Sequence, residues 1–156
     1  MAEHLQIAQG DKEAKYALLY TQIVSVIEDE TDEIANMANV AAMIHETFRF
    51  LWTGFYRVIG DELVLGPFQG PLACTRIRRG KGVCGTAWER AETIVVPDVE
   101  LFPGHIACSS LSRSEIVVPI VRAGTVTAVL DIDSASVCTF NATDAAWLAR
   151  IAALFA

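Results

Sequence analysis

Three of the four cysteines, Cys74, Cys84 and Cys108, fall between residues 74 and 115, in a stretch whose centre, residues 104 to 115, reads GHIACSSLSRSE. A segment so rich in Gly, Ser, His and Cys gains little from packing, so its residue types answer to chemistry more than to a core. A thiol reacts as its thiolate, which requires access and an environment that favours the anion. Cys108 has the access of a Ser/Gly-rich loop. Cys84 opens an expected short helix, whose N-terminus would lower a thiol pKa, and Cys74 is expected to begin a strand. The spacing argues against a structural metal: there is no C-x-x-C pair, and His105-x-x-Cys108 alone supplies too few ligands at a recognised interval. Three cysteines around one loop favour thiol and disulfide chemistry, with separate small core residues as the alternative. Cys138, between Val137 and Thr139, reads as a core residue.

Carboxylates and aromatics follow from strand periodicity, since alternate residues share a face. Along Thr125 to Asp133, Val126, Ala128, Leu130 and Ile132 point one way and Thr127, Asp131 and Asp133 the other. Two acids therefore stand side by side at a strand end. In an earlier strand Trp52, Gly54 and Tyr56 share a face, an aromatic pair flanking a glycine that leaves room above it, as in the wall of a small pocket. The plainer readings are core packing for the aromatics, a solvated strand end for Asp131 and Asp133, and an exposed strand start for Glu115. Close acids in a buried site repel unless one is protonated or a cation joins them, so a cluster of Glu115, Asp131 and Asp133 would point to a bound amine or a metal. His105 either polarises a group near Cys108 or braces a turn. His4 reads as part of an exposed terminus and His45 as a helix-face residue.

These groups need elements to hold them. Tyr16, Leu19, Tyr20, Ile23, Val26 and Ile27 recur at helical spacing, predicting a helix from Asp11 to about Glu30. A second helix, capped by Thr31 or Asp32, carries Ile34, Met37, Ala41, Ile44 and Phe48 on one face. The two stripes require a shared partner, a sheet or another subunit. From Trp52 the texture becomes short β-rich runs: 52 to 58, 62 to 68 after a turn at Gly60-Asp61, 74 to 78, 93 to 96, and a hairpin of 114 to 121 with 125 to 133 around Ala123-Gly124. Pro119 marks an edge or a bulge. A short helix from Val83 to Arg90 and a terminal helix started by Asn141 or Thr143, with Trp147, Leu148, Ile151 and Leu154, complete the set. The expected architecture is α+β: a central, mainly antiparallel six-stranded sheet with N- and C-terminal helices packed on one side and the binding face on the other. One domain spans 1–156, with a helical segment 1–49, sheet and active-site loops 50–140, and a C-terminal helix 141–156.

At 156 residues, 53% hydrophobic and 20% charged, the chain can bury a single sizeable core and is neither disordered nor long enough in its apolar runs to span a bilayer. Its net charge of −7 disfavours nucleic acid and anionic membrane surfaces as partners. The only basic cluster, RIRRGKG from Arg76 to Gly82, lacks the pattern of a phosphate loop and reads as a solvated turn. The first residues carry no signal or transit pattern, which predicts a cytoplasmic location and cysteines held mainly as thiols.

Four strings carry a resemblance to a known family: FLWTGFYRV from Phe50, GPFQGPLACTRIRRGKGVCGTAW from Gly66, VVPDVELFPGHIACSSLSRSEIVVPI from Val95 and VLDIDS from Val129. Through them the chain resembles the free methionine-(R)-sulfoxide reductases, stand-alone GAF-domain enzymes. The strings cover most of residues 50 to 134, including the spacing of three cysteines, whereas the terminal helices agree in type only. Ser109, where the family commonly has an acid, and Arg78-Arg79, where it often has a more apolar pair, are departures, and Cys138 has no counterpart.

The resemblance implies that Cys108 is the nucleophile, Cys74 the principal resolving cysteine and Cys84 a further cysteine able to join or pass on the disulfide. It also implies that Trp52 and Tyr56 enclose the substrate's methyl end while Glu115, Asp131 and Asp133 bind its sulfoxide and amino groups. The implied reaction reduces free L-methionine (R)-sulfoxide to L-methionine through a sulfenic acid and an intramolecular disulfide, with a thioredoxin-like dithiol as reductant and neither cofactor nor metal. A homodimer through the paired N-terminal helices is a further expectation. The rival readings are a GAF module that binds a small ligand and signals, and a redox sensor that forms the same disulfide without turnover.

Overall fold

Two aspartates start the first two helices. The side chain of Asp11 accepts the N–H of Ala14 and that of Asp32 accepts the N–H of Ala35, each satisfying a donor that the helix itself leaves free. In the computed structural model, which describes residues 4–106 and 108–156, α1 is Lys12–Ile27 and α2 is Glu33–Phe48. Ala107, inside the loop expected to carry the nucleophile, lies outside the described residues. Helix α2 stops at Arg49, whose left-handed backbone (φ 57°) turns the chain into the sheet.

The strands are β1 (Trp52–Ile59), β2 (Glu62–Gln69), β3 (Arg76–Arg78), β4 (Ile94–Val96), β5 (Ser114–Arg122) and β6 (Thr125–Ser134). A helix α3 (Gly82–Arg90) follows β3, a 3-10 turn (Val99–Leu101) follows β4, and α4 (Ala142–Ala153) ends the chain behind its Asn141 cap. The sheet order is β3-β2-β1-β6-β5-β4, with every described pair antiparallel. The hairpin from β5 to β6 turns on Ala123 and Gly124, both at positive φ, the backbone twist that a tight two-residue hairpin requires. The α+β fold with a six-stranded antiparallel sheet and terminal helices on one side is thus as expected.

One face of the sheet, with Phe55, Ile116, Val118, Ile120, Ala128, Leu130 and Ile132, is covered by Tyr16, Leu19 and Ile23 of α1, Met37, Val40, Ala41 and Ile44 of α2, and Leu148 and Ile151 of α4. Each Val, Leu, Ile, Phe or Met among them, fully removed from water, contributes roughly 1.5–3 kcal/mol. The shared partner that the stripes of α1 and α2 required is therefore supplied within the chain, although Ile34, at the start of the second stripe, stays exposed. A polar pin fastens α4 to α1: the fully buried Asp144 accepts from Lys12 Nζ (2.5 Å), the Tyr16 hydroxyl (2.7 Å) and the Asn141 N–H (2.8 Å). Burial first, and then the Asp144 charge, push the Tyr16 pKa up.

The opposite face is smaller and carries α3. Trp52, Tyr56, Leu63, Val117, Val126 and Val129 pack there with Val83, Ala87 and Trp88 of the helix. Val126 corrects the simple alternation. Between the pairs Ile120–Ala128 and Val121–Val126 the register slips by one residue, a bulge that returns Val126 to the face of Val129. Pro119 sits beside this bulge, two residues past Val117, the last β5 residue paired to the short β4, so its missing N–H costs that pairing nothing. Among the described residues no helix is long and apolar enough to cross a membrane.

Candidate active site

The register brings the acids together. Asp133 pairs with Trp52 on one side and Glu115 on the other, and Asp131 lies between Gly54 and Val117, so Trp52, Glu115, Asp131 and Asp133 occupy one patch of the α3 face. Glu115 and Asp131 are only 6% and 5% exposed. Burial and then the Asp133 charge push Glu115 up to about 8, with a bond from Asp131 opposing the rise. Asp131 is held well above the usual carboxylate range by burial and then by Glu115. Neither acid ionises freely beside the other, and a proton held between them turns repulsion into a hydrogen bond. The Oδ1 of Asp131 has no partner among the described residues. Asp133 is likewise raised, by burial and Asp131, but Ser112 Oγ donates to it at 2.6 Å and partly counteracts the shift.

Cys108 lies in the loop above this patch and is disulfide-bonded to Cys74, with their Cα atoms 5.6 Å apart. Cys108 is exposed and Cys74 half-buried. Cys74 does not begin a strand: β3 starts two residues later, and the cysteine stays in an irregular segment where its carbonyl accepts the Tyr56 hydroxyl at 2.8 Å. From this segment its sulfur reaches the neighbouring loop of Cys108.

Cys84 departs from expectation in another way. It sits in the first turn of α3, yet it is 4% exposed, and burial followed by the charges of Asp131 and Glu115 pushes its thiol up instead of down. Its Sγ and one oxygen from each of Glu115 and Asp131 lie within 4.8 Å of one another, a spacing compatible with a divalent metal as well as with a neutral thiol beside a shared proton. Cys138, read as core, is instead exposed: it adopts a left-handed backbone (φ 57°) in the turn before α4, where its N–H donates to the Pro97 carbonyl. The β6-to-α4 turn projects the side chain outward, and no local pattern in the sequence signals this.

The aromatic side of the cavity differs in one detail from the arrangement expected. Trp52 and Tyr56 stack with ring centres 5.9 Å apart, and both line the cavity. The space above Gly54 is not open, however: a Cβ there would lie 2.7 Å from the Trp52 ring and collide with Phe68. Gly54 thus lets Trp52 lie flat on the strand, sandwiched against Phe68 at 5.2 Å, with its indole N–H donating to the Pro71 carbonyl. Burial first and Asp131 next raise the Tyr56 pKa, so its hydroxyl remains a donor.

His105 Nε2 lies 3.7 Å from Glu115 Oε1, and burial lowers its pKa although Asp131 opposes this, so it faces the acid pair as a largely neutral ring. His4 is exposed, and His45 sits in the last turn of α2 with Nδ1 buried and unpartnered among the described residues. Two contributors escaped the reading of the sequence. Ser112, within the polar loop, was not distinguishable from Ser109 or Ser110 until the fold set it over Asp133. Phe68 backs Trp52 only through the register that places it opposite Gly54.

Taken together, the cavity joins a deep acidic floor, an aromatic side and a disulfide near its mouth, lined also by Lys81, Gly82 and Val83 of the α3 start and by Ile106. It can take a small ligand with a cationic group and a protonatable oxygen, and it can exchange two electrons with it.

Comparison with known proteins gives concordant matches. A model of the GAF domain family matches residues 27–156. GAF domain-containing protein A of Dictyostelium discoideum is 55% identical over 97% of this chain and 96% of its own length. Free methionine-R-sulfoxide reductase of Escherichia coli is 43% identical over 88% of this chain and 84% of its own. The X-ray structure of free methionine-R-sulfoxide reductase from Neisseria meningitidis, in complex with its substrate, superposes with a TM-score of 0.94 at 54% identity, covering 96% of this chain and 90% of that one.

Proposed function

The chain belongs to the GAF domain family and, within it, to the free methionine-R-sulfoxide reductases, and from that premise we propose that it reduces free L-methionine (R)-sulfoxide to L-methionine. The observation that carries the reading is the Cys74–Cys108 bridge near the mouth of a cavity floored by Glu115, Asp131 and Asp133. Such a bridge is the expected oxidised product of a thiol reductase, and the acids beneath it suit a substrate that is both an amine and a proton acceptor.

The substrate enters as a zwitterion. Its ammonium supplies the cation that Asp133, held by Ser112, needs in order to ionise. Trp52 and Tyr56 enclose the methyl end. The Glu115–Asp131 pair holds a proton at neutral pH, and Glu115, pushed up to about 8, is the member that can release it there, making it the general acid toward the sulfoxide oxygen. Cys108 attacks the substrate sulfur, methionine departs, and the oxygen remains on Cys108 as a sulfenic acid. Cys74 attacks that sulfur, water leaves, and the disulfide forms. In balance, two thiols and one sulfoxide become one disulfide, one thioether and one water. A thioredoxin-like dithiol then restores both thiols, a step suited to the reducing cytoplasm.

Cys84 serves in this scheme as a neutral thiol against the acid pair and as a reserve partner for the disulfide. The domain spans the whole chain, 1–156, with the site confined to the segment 50–140.

Incubation with free methionine (R)-sulfoxide and dithiothreitol tests the reading: methionine should accumulate with wild type and not with Cys108→Ser. Cys74→Ser should form one methionine per chain rapidly and then turn over only slowly, through Cys84, when thioredoxin is the only reductant. No turnover by wild type, or full turnover by Cys108→Ser, would leave a ligand-binding or redox-sensing module in its place.

A further inference from the structure

We propose that the dithiol protein that reopens the disulfide docks on an apolar collar of Leu72, Ile106 and Leu111, is steered by the basic strip from Arg78 to Lys81, and attacks at Cys108. This rests on the reductase reading above and specifies its second partner. Each collar residue lies within three positions of a bridged cysteine in the chain: Leu72 precedes Cys74, and Ile106 and Leu111 flank Cys108. They are 90%, 39% and 62% exposed. A single exposed leucine needs no explanation, but three apolar side chains around one reactive bond form a patch of the kind that marks a protein interface.

Chemistry requires a visitor at this place. The bridge can be reduced only by a thiolate that reaches one of its sulfurs, so whatever restores the enzyme must cover the residues around it. Cys108 is exposed, whereas Cys74 is half-buried, packs against the aromatic cluster and is tied through its carbonyl to Tyr56. A partner thiolate attacking Cys108 Sγ forms a mixed disulfide and expels Cys74 as a thiolate, which takes up a proton. The partner's second thiol then attacks its own sulfur in the mixed disulfide and releases Cys108. Two electrons pass from the partner dithiol, which ends as a disulfide, and both Cys74 and Cys108 end as thiols.

Charge supplies the orientation. The chain carries −7 overall, yet Arg76, Arg78, Arg79 and Lys81 follow Cys74 closely. Arg76 pairs with Glu62, and Arg79 lies over the Trp88 ring, but among the described residues Arg78, Arg79 and Lys81 make no ion pair. Asp61 and Glu62 share the groove of Arg78 and Arg79, but the cations outnumber them along the strip, and a basic strip on an acidic molecule draws an acidic partner toward this edge. The fitting partner is a thioredoxin-type protein with an acidic rim around an apolar reactive face.

Two measurements test this. Thioredoxin with its second reactive cysteine replaced by serine is incubated with the oxidised protein, and the mixed disulfide is mapped by mass spectrometry; it should lie on Cys108, and trapping on Cys74 would overturn the proposal. Leu111→Glu and Arg78→Glu are then assayed with thioredoxin and, separately, with dithiothreitol. The KM for thioredoxin should rise about tenfold in each variant, its salt dependence should weaken in Arg78→Glu, and turnover with dithiothreitol should match wild type. Unchanged thioredoxin kinetics, or an equal loss with both reductants, would overturn the docking surface. Absence of dithiothreitol turnover in wild type would instead defeat the reductase reading itself.

Discussion

Replacing Glu115 by Gln keeps the side chain's shape and a hydrogen-bond donor and acceptor while removing its ionisable proton, and this should change both the stability and the rate of the enzyme in a pH-dependent way. Glu115 has a folded-state pKa of about 8 against an ordinary 4.5. The folded chain therefore keeps a proton that the unfolded chain releases, so the stability this group contributes is complete below 4.5 and is lost as pH rises toward 8. The loss accumulates at about 1.4 kcal/mol per pH unit, reaching about 3 kcal/mol at pH 7 and on the order of 5 kcal/mol above pH 8.

Urea denaturation of the disulfide-intact protein across this range should show wild-type stability falling with pH. The Glu115→Gln curve should be flatter by up to one proton, because Asp131 and Asp133 keep their own raised values. Relative to their difference near pH 4, the variant should gain about 3 kcal/mol on wild type at pH 7. In turnover assays the wild-type kcat should decline above about pH 8 as the general acid is lost, while the variant should have lost roughly 10²–10⁴-fold in kcat and show no such limb. A wild-type stability that is flat or rising between pH 5 and 8, a variant with the same slope, or a variant that keeps the alkaline limb would refute the assignment of the proton to Glu115.

Other substitutions probe the supports of the site. Gly54→Ala forces a methyl against Trp52 and Phe68 and should cost about 1–3 kcal/mol, read as a lower Tm, with a higher KM as Trp52 shifts into the cavity. Ser112→Ala removes the 2.6 Å bond to Asp133 and should cost about 1.5–3 kcal/mol of support for the ionised acid; substrate affinity measured by calorimetry should fall while the disulfide still forms. Asp144→Asn breaks the buried contact with Lys12 far from the cavity and should lower stability in urea by about 3–5 kcal/mol while kcat per folded molecule is unchanged.

Much of this molecule was legible because local rules and tertiary packing agree. Helical spacing named α1, α2 and α4, and Asp11, Asp32 and Asn141 start them as caps should. Period-two alternation put Asp131 and Asp133 on one face and Trp52 with Tyr56 on another, and the sheet brings those faces together. The same rules failed wherever a side chain's surroundings depend on distant residues. Helix position predicted an activated Cys84, but the floor of Glu115 and Asp131 beneath it reversed the sign. Alternation placed Val126 with Ala128 until a bulge turned it over.

By itself, the sequence determined which elements form and which residue types were present to react, because capping, spacing and periodicity act over a few residues. Only the tertiary structure decided that a β5 acid and two β6 acids line one cavity, that the room above Gly54 belongs to Trp52, and that Cys74 lies outside β3 and reaches Cys108. Those outcomes come from register and burial, and burial sets pKa values through groups that the chain order keeps far apart.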